Sequence, residues 1–415
     1  MRAGPIARAT LQTALVLGLR LVAQAGTLLL VARMLGPAAF GQFAGMAALA
    51  VMFGALSSAG LNIQLLAKTS REPERAADLL GPALLTTAVT GGALLLVFLL
   101  LTPWLLSQSK THLLVLLGIG LTEIVLHPLI SLPSAIKQAH GRIAHSQLLI
   151  MAPYALRLLL AGLVAMSAAR QPLTLYALVY PLPSMLTLGV VLRPWLTGPT
   201  PVSLRYASAP GELRTALPFA VLNLTAMTPA ELDKALASRL LTGSAPGVYS
   251  AGARAISAVT LPVIAMMLSA LPRLFRAEQE HPQAIRRLLR WLGIATLGYS
   301  LVMATALWLF APMLDDVFGM AYRGLAASVR LLVFAVPGMA LRTVAGTALM
   351  AIGRPWMRVS FELVGVALLP GLALTLVPLW PAQGMPAALI ATESCMAVIG
   401  WILLKRSIPV PSKAR

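Results

Sequence analysis

The stretch Arg33-Met34-Leu35-Gly36-Pro37-Ala38-Ala39-Phe40-Gly41-Gln42-Phe43-Ala44 stands between two long apolar segments, and its pattern returns half a chain later. The second copy is Arg239-Leu240-Leu241-Thr242-Gly243-Ser244-Ala245-Pro246-Gly247-Val248-Tyr249-Ser250. In both copies an Arg, a Leu, a Gly, an aromatic residue and a small residue follow in the same order and at the same spacing. Gly and Pro end one membrane helix and begin the next, and an Arg in the turn favours the headgroup level. The repetition predicts a duplicated membrane protein, and its alternative is chance recurrence in a chain rich in Ala and Leu.

The composition is that of a polytopic membrane protein. Of 415 residues, 58% are hydrophobic and 11% are charged, whereas about a quarter of the residues of a soluble protein are charged. The net charge of +19 does not indicate nucleic-acid binding, because the basic residues lie between the apolar runs, as in cytoplasmic loops. Cys395 is the only cysteine, which excludes disulfides within the chain and metal sites built from several cysteines.

Twelve apolar windows are long enough to cross a hydrocarbon core of about 30 Å. The sequence therefore predicts an all-α polytopic membrane protein of twelve transmembrane helices in two six-helix bundles, related by a parallel pseudo-two-fold repeat. Residues 1–192 form the predicted N-terminal bundle, residues 193–214 a polar, Pro-rich cytoplasmic linker, and residues 215–415 the C-terminal bundle. The predicted spans are 11–32, 41–66, 79–101, 112–136, 148–168, 173–192, 215–238, 247–272, 291–312, 327–352, 358–378 and 385–404.

The distribution of Lys and Arg predicts the orientation. With the N-terminus inside, 21 of these residues fall on the cytoplasmic side and six on the other side. Cytoplasmic loops carry the excess of Lys and Arg, so both termini are expected in the cytoplasm.

Charged residues within the predicted spans are the candidate site. A charged side chain at the centre of a lipid-facing helix costs about 2.5–3.5 kcal/mol on insertion scales, so these residues are expected to face the bundle interior or water. The candidate substrate-binding cations are Arg20, Arg157, Lys234, Arg254 and Arg342. The candidate ion-coupling carboxylates are Glu123, Asp233 and Glu393, because carboxylates near the membrane midplane are frequent sites of coupling protons or cations.

Two interpretations of these charges stay open. In the functional one, cations from both halves line a water-filled cavity and bind an anionic headgroup, since Arg binds phosphate in a bidentate manner. In the structural one, cations and acids pair inside the bundles and fix the packing. Asp233 and Lys234 are helix neighbours that point about 100° apart, so they are expected not to face one another. Glu362 follows Arg358 by four residues and is interpreted as half of a surface helix pair.

Catalytic motifs are absent from the sequence. It contains no G-x-x-x-x-G-K-[ST] loop, no zincin-type histidine pair and no G-x-S-x-G elbow. The chain is therefore not expected to be an enzyme, and no catalytic residue, metal or cofactor is predicted. Transport would draw on an ion gradient or on the gradient of the substrate.

The chain resembles the Wzx-type oligosaccharide-lipid flippases, a polysaccharide biosynthesis family of the MOP superfamily that also holds the drug-exporting MATE transporters and the peptidoglycan-precursor flippases. The resemblance is carried by Leu19-Arg20 with Gln24, by the stretch from Ala32 to Ala44, by Gly60-Leu61, by Leu232-Asp233-Lys234 and by Gly247-Val248-Tyr249-Ser250-Ala251.

This resemblance implies two V-shaped bundles around a central cleft and alternating access. The substrate would be a polyprenyl-pyrophosphate-linked oligosaccharide, and the implied partners are membrane lipids and polysaccharide polymerase or export proteins. The rival functions are a MATE-like cation-coupled antiporter of drugs or other small molecules and a membrane scaffold that transports nothing.

Overall fold

A computed structural model of the chain describes residues 5–106, 113–167, 169–197, 209–267, 270, 274 and 282–407. These residues form α-helices joined by short turns, and the described part of the chain contains no strand. The helices are α1 Pro5–Ser57, α2 Leu61–Arg71, α3 Ala76–Leu105, α4 Leu113–Gly120, α5 His127–Ala139, α6 Ile143–Met166, α7 Pro172–Val179, α8 Leu182–Thr197, α9 Ala209–Leu240, α10 Ala245–Val259, α11 Pro282–Phe318, α12 Leu325–Leu332, α13 Val336–Ala351, α14 Pro355–Leu379 and α15 Gly384–Ser407.

Both copies of the repeated stretch interrupt a helical path at a glycine. Within α1, Gly36 has φ 71° and ψ 166°, so the helix consists of two segments that meet at this residue. In the second copy, α9 ends at Leu240, α10 begins at Ala245, and Gly243 between them has φ 64°. Positive φ angles favour glycine because it has no Cβ. The predicted helix break is thus confirmed in each copy.

Ten helical stretches within the described residues are long and apolar enough to cross a membrane. The chain is therefore a multi-pass membrane protein. Two differences separate this number from twelve: predicted spans 11–32 and 41–66 share the merged helix α1, and predicted span 215–238 lies in α9, which holds Glu231, Asp233, Lys234 and Arg239 and is not among the ten. The count of twelve remains a prediction.

The chain forms two compact units, Met1–Met227 and Thr228–Arg415. Helix α8 ends at Thr197 and α9 begins at Ala209, so residues 198–208 of the predicted linker lie outside the described residues. Each unit has its own apolar core. In the first unit the core includes Leu61, Leu65, Leu80, Leu84, Leu132 and Ile136. In the second it includes Val263, Met267, Val344, Leu349, Phe361 and Met396.

A π-helical segment, Leu121–Leu126, joins α4 to α5 within one continuous span, Leu113–Ala139. Segments of this kind are rare and occur often at functional sites. The segment is buried, with Thr122, Glu123 and Ile124 among its buried residues. It places the Glu123 carboxylate in the interior of the first unit.

Candidate functional site

The Glu123 carboxylate is the centre of a buried polar cluster in the first unit. Its Oε1 atom accepts hydrogen bonds from the Tyr180 hydroxyl at 2.7 Å and from Arg157 Nη1 at 3.1 Å. Its Oε2 atom lies 2.8 Å from His127 Nδ1. The π-helical segment, α5, α6 and the end of α7 each contribute one of these residues. Both carboxylate oxygens are therefore occupied by protein donors.

Arg157 joins further polar and aromatic groups to this cluster. Its Nη1 atom donates to the Tyr180 hydroxyl at 2.9 Å, and its Nη2 atom donates to Ser184 Oγ at 3.2 Å and lies 2.9 Å from His127 Nε2. The guanidinium carbon lies 4.0 Å from the centre of the Tyr180 ring. A cation so placed over an aromatic face gains electrostatic attraction from the ring. Arg157 is thus held both by hydrogen bonds and by ring contacts.

Arg20 approaches the same cluster from α1 without entering an ion pair. Its guanidinium carbon lies 5.6 Å from the centre of the Tyr154 ring, and Arg157 lies 5.4 Å from that ring. No carboxylate of the described residues forms a salt bridge with Arg20. Two cations therefore contact Tyr154, and only Arg157 has a carboxylate partner.

In the second unit, Lys234 is surrounded by acids of its own helix. Its Nζ atom lies 3.1 Å from Asp233 Oδ1 and 3.8 Å from Glu231 Oε2, and it also donates to the Ala230 carbonyl. Asp233 Oδ2 accepts a hydrogen bond of 3.1 Å from the Tyr249 hydroxyl. The expectation that Asp233 and Lys234 do not face one another is wrong, because the flexible Lys stem bends back over the helix to its neighbour.

Arg342 occupies a second charged cluster of the second unit, at the contact of α13, α14 and α15. Its Nε atom donates to Glu393 Oε2 at 2.7 Å, and its Nη1 atom lies 4.0 Å from Glu362 Oε1. Glu362 also accepts a hydrogen bond of 3.0 Å from Arg358 Nε. The predicted pair of Arg358 and Glu362 exists, but its assignment to the surface is wrong for Glu362, whose side chain is 2% exposed.

Arg254 on α10 differs from the paired cations. It is partly buried, and its Nε atom is buried without a hydrogen-bond partner. Among the described residues no carboxylate forms a salt bridge with it. Of the five predicted cations, Arg157, Lys234 and Arg342 have acid partners, whereas Arg20 and Arg254 have none in the described part of the chain.

The structure brings the predicted site residues together in pairs. Arg157 meets Glu123, Lys234 meets Asp233, and Arg342 meets Glu393. Sequence reasoning missed His127, Tyr180, Tyr249 and Glu362, which complete these clusters. A histidine four residues after Glu123 was the one available indication, since residues four apart share a helix face. No group of three or more His, Cys, Asp or Glu within the described ranges is arranged to hold a metal ion.

A model of the family described as polysaccharide biosynthesis protein matches residues 30–297. No curated protein sequence matches the chain. Among solved structures, the chain is similar to the inward-facing conformation of a multidrug resistance MATE family transporter of the MOP superfamily, with a TM-score of 0.74, 15% identity and 94% of each chain covered.

Two further solved structures share this fold. One is a MOP superfamily transporter from Pyrococcus furiosus, with a TM-score of 0.63, 14% identity and coverage of 94% of this chain and 95% of that chain. The other is a MATE transporter of Vibrio cholerae, with a TM-score of 0.60, 15% identity and coverage of 95% and 97%. The predicted MATE-like fold is confirmed.

Proposed function

Because the chain belongs to the family of polysaccharide biosynthesis proteins, we propose that it is a flippase for a polyprenyl-pyrophosphate-linked oligosaccharide. It moves this lipid across the bacterial inner membrane by alternating access, for export of a surface polysaccharide. Both termini lie in the cytoplasm in this proposal, in agreement with the excess of Lys and Arg in the loops on that side. A polysaccharide polymerase or export protein would receive the lipid-linked product.

The observation that carries the proposal is that Arg20 and Arg254 lack a carboxylate partner in the described part of the chain. Each is a cation on an apolar helix, and neither has a carboxylate partner among the described residues. Unpaired cations in membrane helices are costly and are found facing water or a ligand. A pyrophosphate group supplies the missing negative charge and accepts bidentate hydrogen bonds from guanidinium groups.

The paired cations have a different part in this proposal. Arg157, Lys234 and Arg342 are buried and their charge is balanced by neighbouring acids. A buried pair already satisfied within the protein offers little attraction to an anion. We therefore assign anion binding to Arg20 in the first unit and to Arg254 in the second, each considered by itself, and the fixing of helix contacts to the three paired cations.

Deletion of the gene followed by complementation tests the proposal. The deletion is expected to abolish surface polysaccharide and to leave lipid-linked oligosaccharide in the cytoplasmic leaflet, as measured by mass spectrometry of extracted lipids. At equal expression, Arg20→Ala and Arg254→Ala are expected to lower export about tenfold or more, because a hydrogen bond to a charged group contributes about 1.5–3 kcal/mol. Arg20→Lys and Arg254→Lys should retain part of it.

Arg170→Ala is the matched control, since Arg170 is an exposed Arg between α6 and α7, and it should export normally. Unchanged surface polysaccharide in the deletion strain contradicts the proposal. If the strain also becomes sensitive to drugs, a MATE-like antiporter is favoured. If neither property changes, a scaffold is favoured.

A further inference from the structure

One end of the second unit carries a set of exposed cations, and we call it the basic end. Here α11 begins, α13 ends, α14 begins and α15 ends. The exposed cations at the basic end are Arg287, Arg290, Arg354, Lys405 and Arg406. Within the described residues, none of them forms a salt bridge with a carboxylate. Arg358 is not a member of this set, because it is paired with Glu362.

The packing of the second unit holds these helix ends together. Leu289, Ile352 and Leu404 belong to one apolar core, and each lies within two residues of one of the exposed cations. The Ser407 hydroxyl, at the end of α15, lies 3.0 Å from the Met357 sulfur in the first turn of α14. The cations of the basic end are therefore carried by helices of one packed body.

The turn between α13 and α14 fixes the main chain at Arg354. Gly353 has φ 68°, and the N–H of Arg354 donates to the Leu349 carbonyl at 2.9 Å. A left-handed glycine followed by such a bond is a common way to end a helix. The Arg354 side chain is exposed, so its charge stays available to a ligand outside the helix pair.

Two exposed tryptophans accompany these cations. Trp291 directly follows Arg290 and is 65% exposed, and Trp356 lies two residues after Arg354 and is 60% exposed. Tryptophan rings favour the headgroup level of a bilayer. Their presence places the neighbouring cations at the depth where lipid phosphates lie.

The first unit has a different charge pattern at the end that is predicted to lie on the same side of the membrane. Exposed acids stand among its exposed cations there, namely Glu72, Glu74 and Asp78, and Glu72 pairs with Arg75 at 2.8 Å. Among the described residues of the basic end, by contrast, the one acid is Glu362, which is 2% exposed. The topology rule asks only for cations on the cytoplasmic side, so it does not account for this difference between the two units.

We propose that the basic end of the second unit binds the phosphate group of an anionic phospholipid in the cytoplasmic leaflet. Clusters of Lys and Arg next to membrane helices attract anionic lipids, and each such residue near the surface strengthens binding about fivefold. The bound lipid holds the ends of α11, α14 and α15 together and is distinct from the transported substrate. This site therefore does not depend on the flippase function.

Native mass spectrometry of the full chain in detergent tests the site, with titration by phosphatidylglycerol or by phosphatidylcholine of the same acyl chains. The wild type is expected to bind phosphatidylglycerol about tenfold more tightly or better, since several cations contribute. The combined variant Arg290→Gln, Arg354→Gln and Arg406→Gln should lose most of this preference and keep its binding of phosphatidylcholine. If that variant does not fold, each single substitution is measured instead and should weaken binding of phosphatidylglycerol about fivefold.

The matched control combines Arg71→Gln, Arg142→Gln and Arg193→Gln, which removes the same charge from exposed positions of the first unit. It should retain most of the preference for phosphatidylglycerol. Equal losses in the two combined variants, or a wild type without any preference, would overturn the proposal. Loss of export in the variant of the basic end with undiminished lipid binding would also overturn it and indicate an acidic protein partner. Failure of export in the deletion strain counts only against the flippase function, because this titration contains no lipid-linked oligosaccharide.

Discussion

Gly54 of α1 packs directly against the main chain of Glu123, and a Cβ on Gly54 would overlap the Glu123 carbonyl oxygen. The absence of a side chain at this position lets α1 approach the π-helical segment that carries the carboxylate. The position of the Glu123 cluster therefore depends on a residue that has no polar group of its own.

Gly54→Ala is expected to lower the free energy of unfolding by about 1–3 kcal/mol, because an added methyl in a packed interface displaces its neighbours. The displaced neighbour here is backbone, which cannot rotate away. Thermal unfolding of the purified protein in detergent measures the effect. Gly92→Ala on α3 is the control, since a Cβ there meets nothing within 4 Å, and it should be neutral or slightly stabilising. Equal melting temperatures for the two variants would contradict this account.

Arg157→Gln and Glu123→Gln should each destabilise the protein by about 3–5 kcal/mol, since each leaves a buried charge without its partner. The double variant should lose less than the sum of the two single losses, because the charges are removed together. A double-mutant cycle by thermal or denaturant unfolding measures this coupling. Strict additivity would mean that the 3.1 Å contact contributes no coupling energy.

Glu362→Gln should destabilise the second unit by a few kcal/mol, because both Arg342 and Arg358 lose negative charge next to them. The comparison variant is Glu72→Gln, which breaks the pair of Glu72 with Arg75. The side chains of that pair are 58% and 63% exposed, and exposed pairs contribute about 0–1 kcal/mol. A larger loss for Glu72→Gln than for Glu362→Gln would refute the assignment of Glu362 to the interior.

Arg20→Ala should separate function from stability. Export should fall, while the melting temperature should stay close to that of the wild type, because Arg20 forms no salt bridge within the part of the chain that the structure describes. Arg342→Ala should show the opposite balance of effects, with a marked loss of stability from the unpaired Glu393. Parallel measurement of both variants in one detergent gives the comparison. A folding defect in Arg20→Ala as severe as that in Arg342→Ala would argue against Arg20 as a ligand-binding cation.

The fold class was predictable because membrane spans leave long apolar windows and Gly-rich turns in the sequence. Gly36 shows this well, since the helix break predicted from Gly36-Pro37 is present in α1. The number of spans is harder to predict, because α9 combines a predicted span with six charged residues.

From the sequence, the charged clusters could be predicted only as a set of charged residues whose exposure to lipid costs free energy. Hydropathy does not give the rotation of one helix against another, so the contact of Arg157 with Glu123, 34 residues away in the chain, could not be predicted. His127 was missed because a single histidine near a carboxylate is common on helices. Glu362 was missed because its pairing with Arg358 has the same spacing as an exposed ion pair.

Helix α11 includes the candidate membrane span Ile285–Phe318, whose 34 residues extend about 50 Å at 1.5 Å per residue. Arg286, Arg287 and Arg290 lie near one end of this span, and Asp315 and Asp316 lie near the other. In its most apolar window only 17% of the residues are buried inside the protein, so most of its surface is left for acyl chains. Because the helix is longer than a hydrocarbon core of about 30 Å, its charged ends are expected to emerge from that core. This one helix is therefore expected to contact acyl chains along its middle and lipid headgroups or water at its two ends.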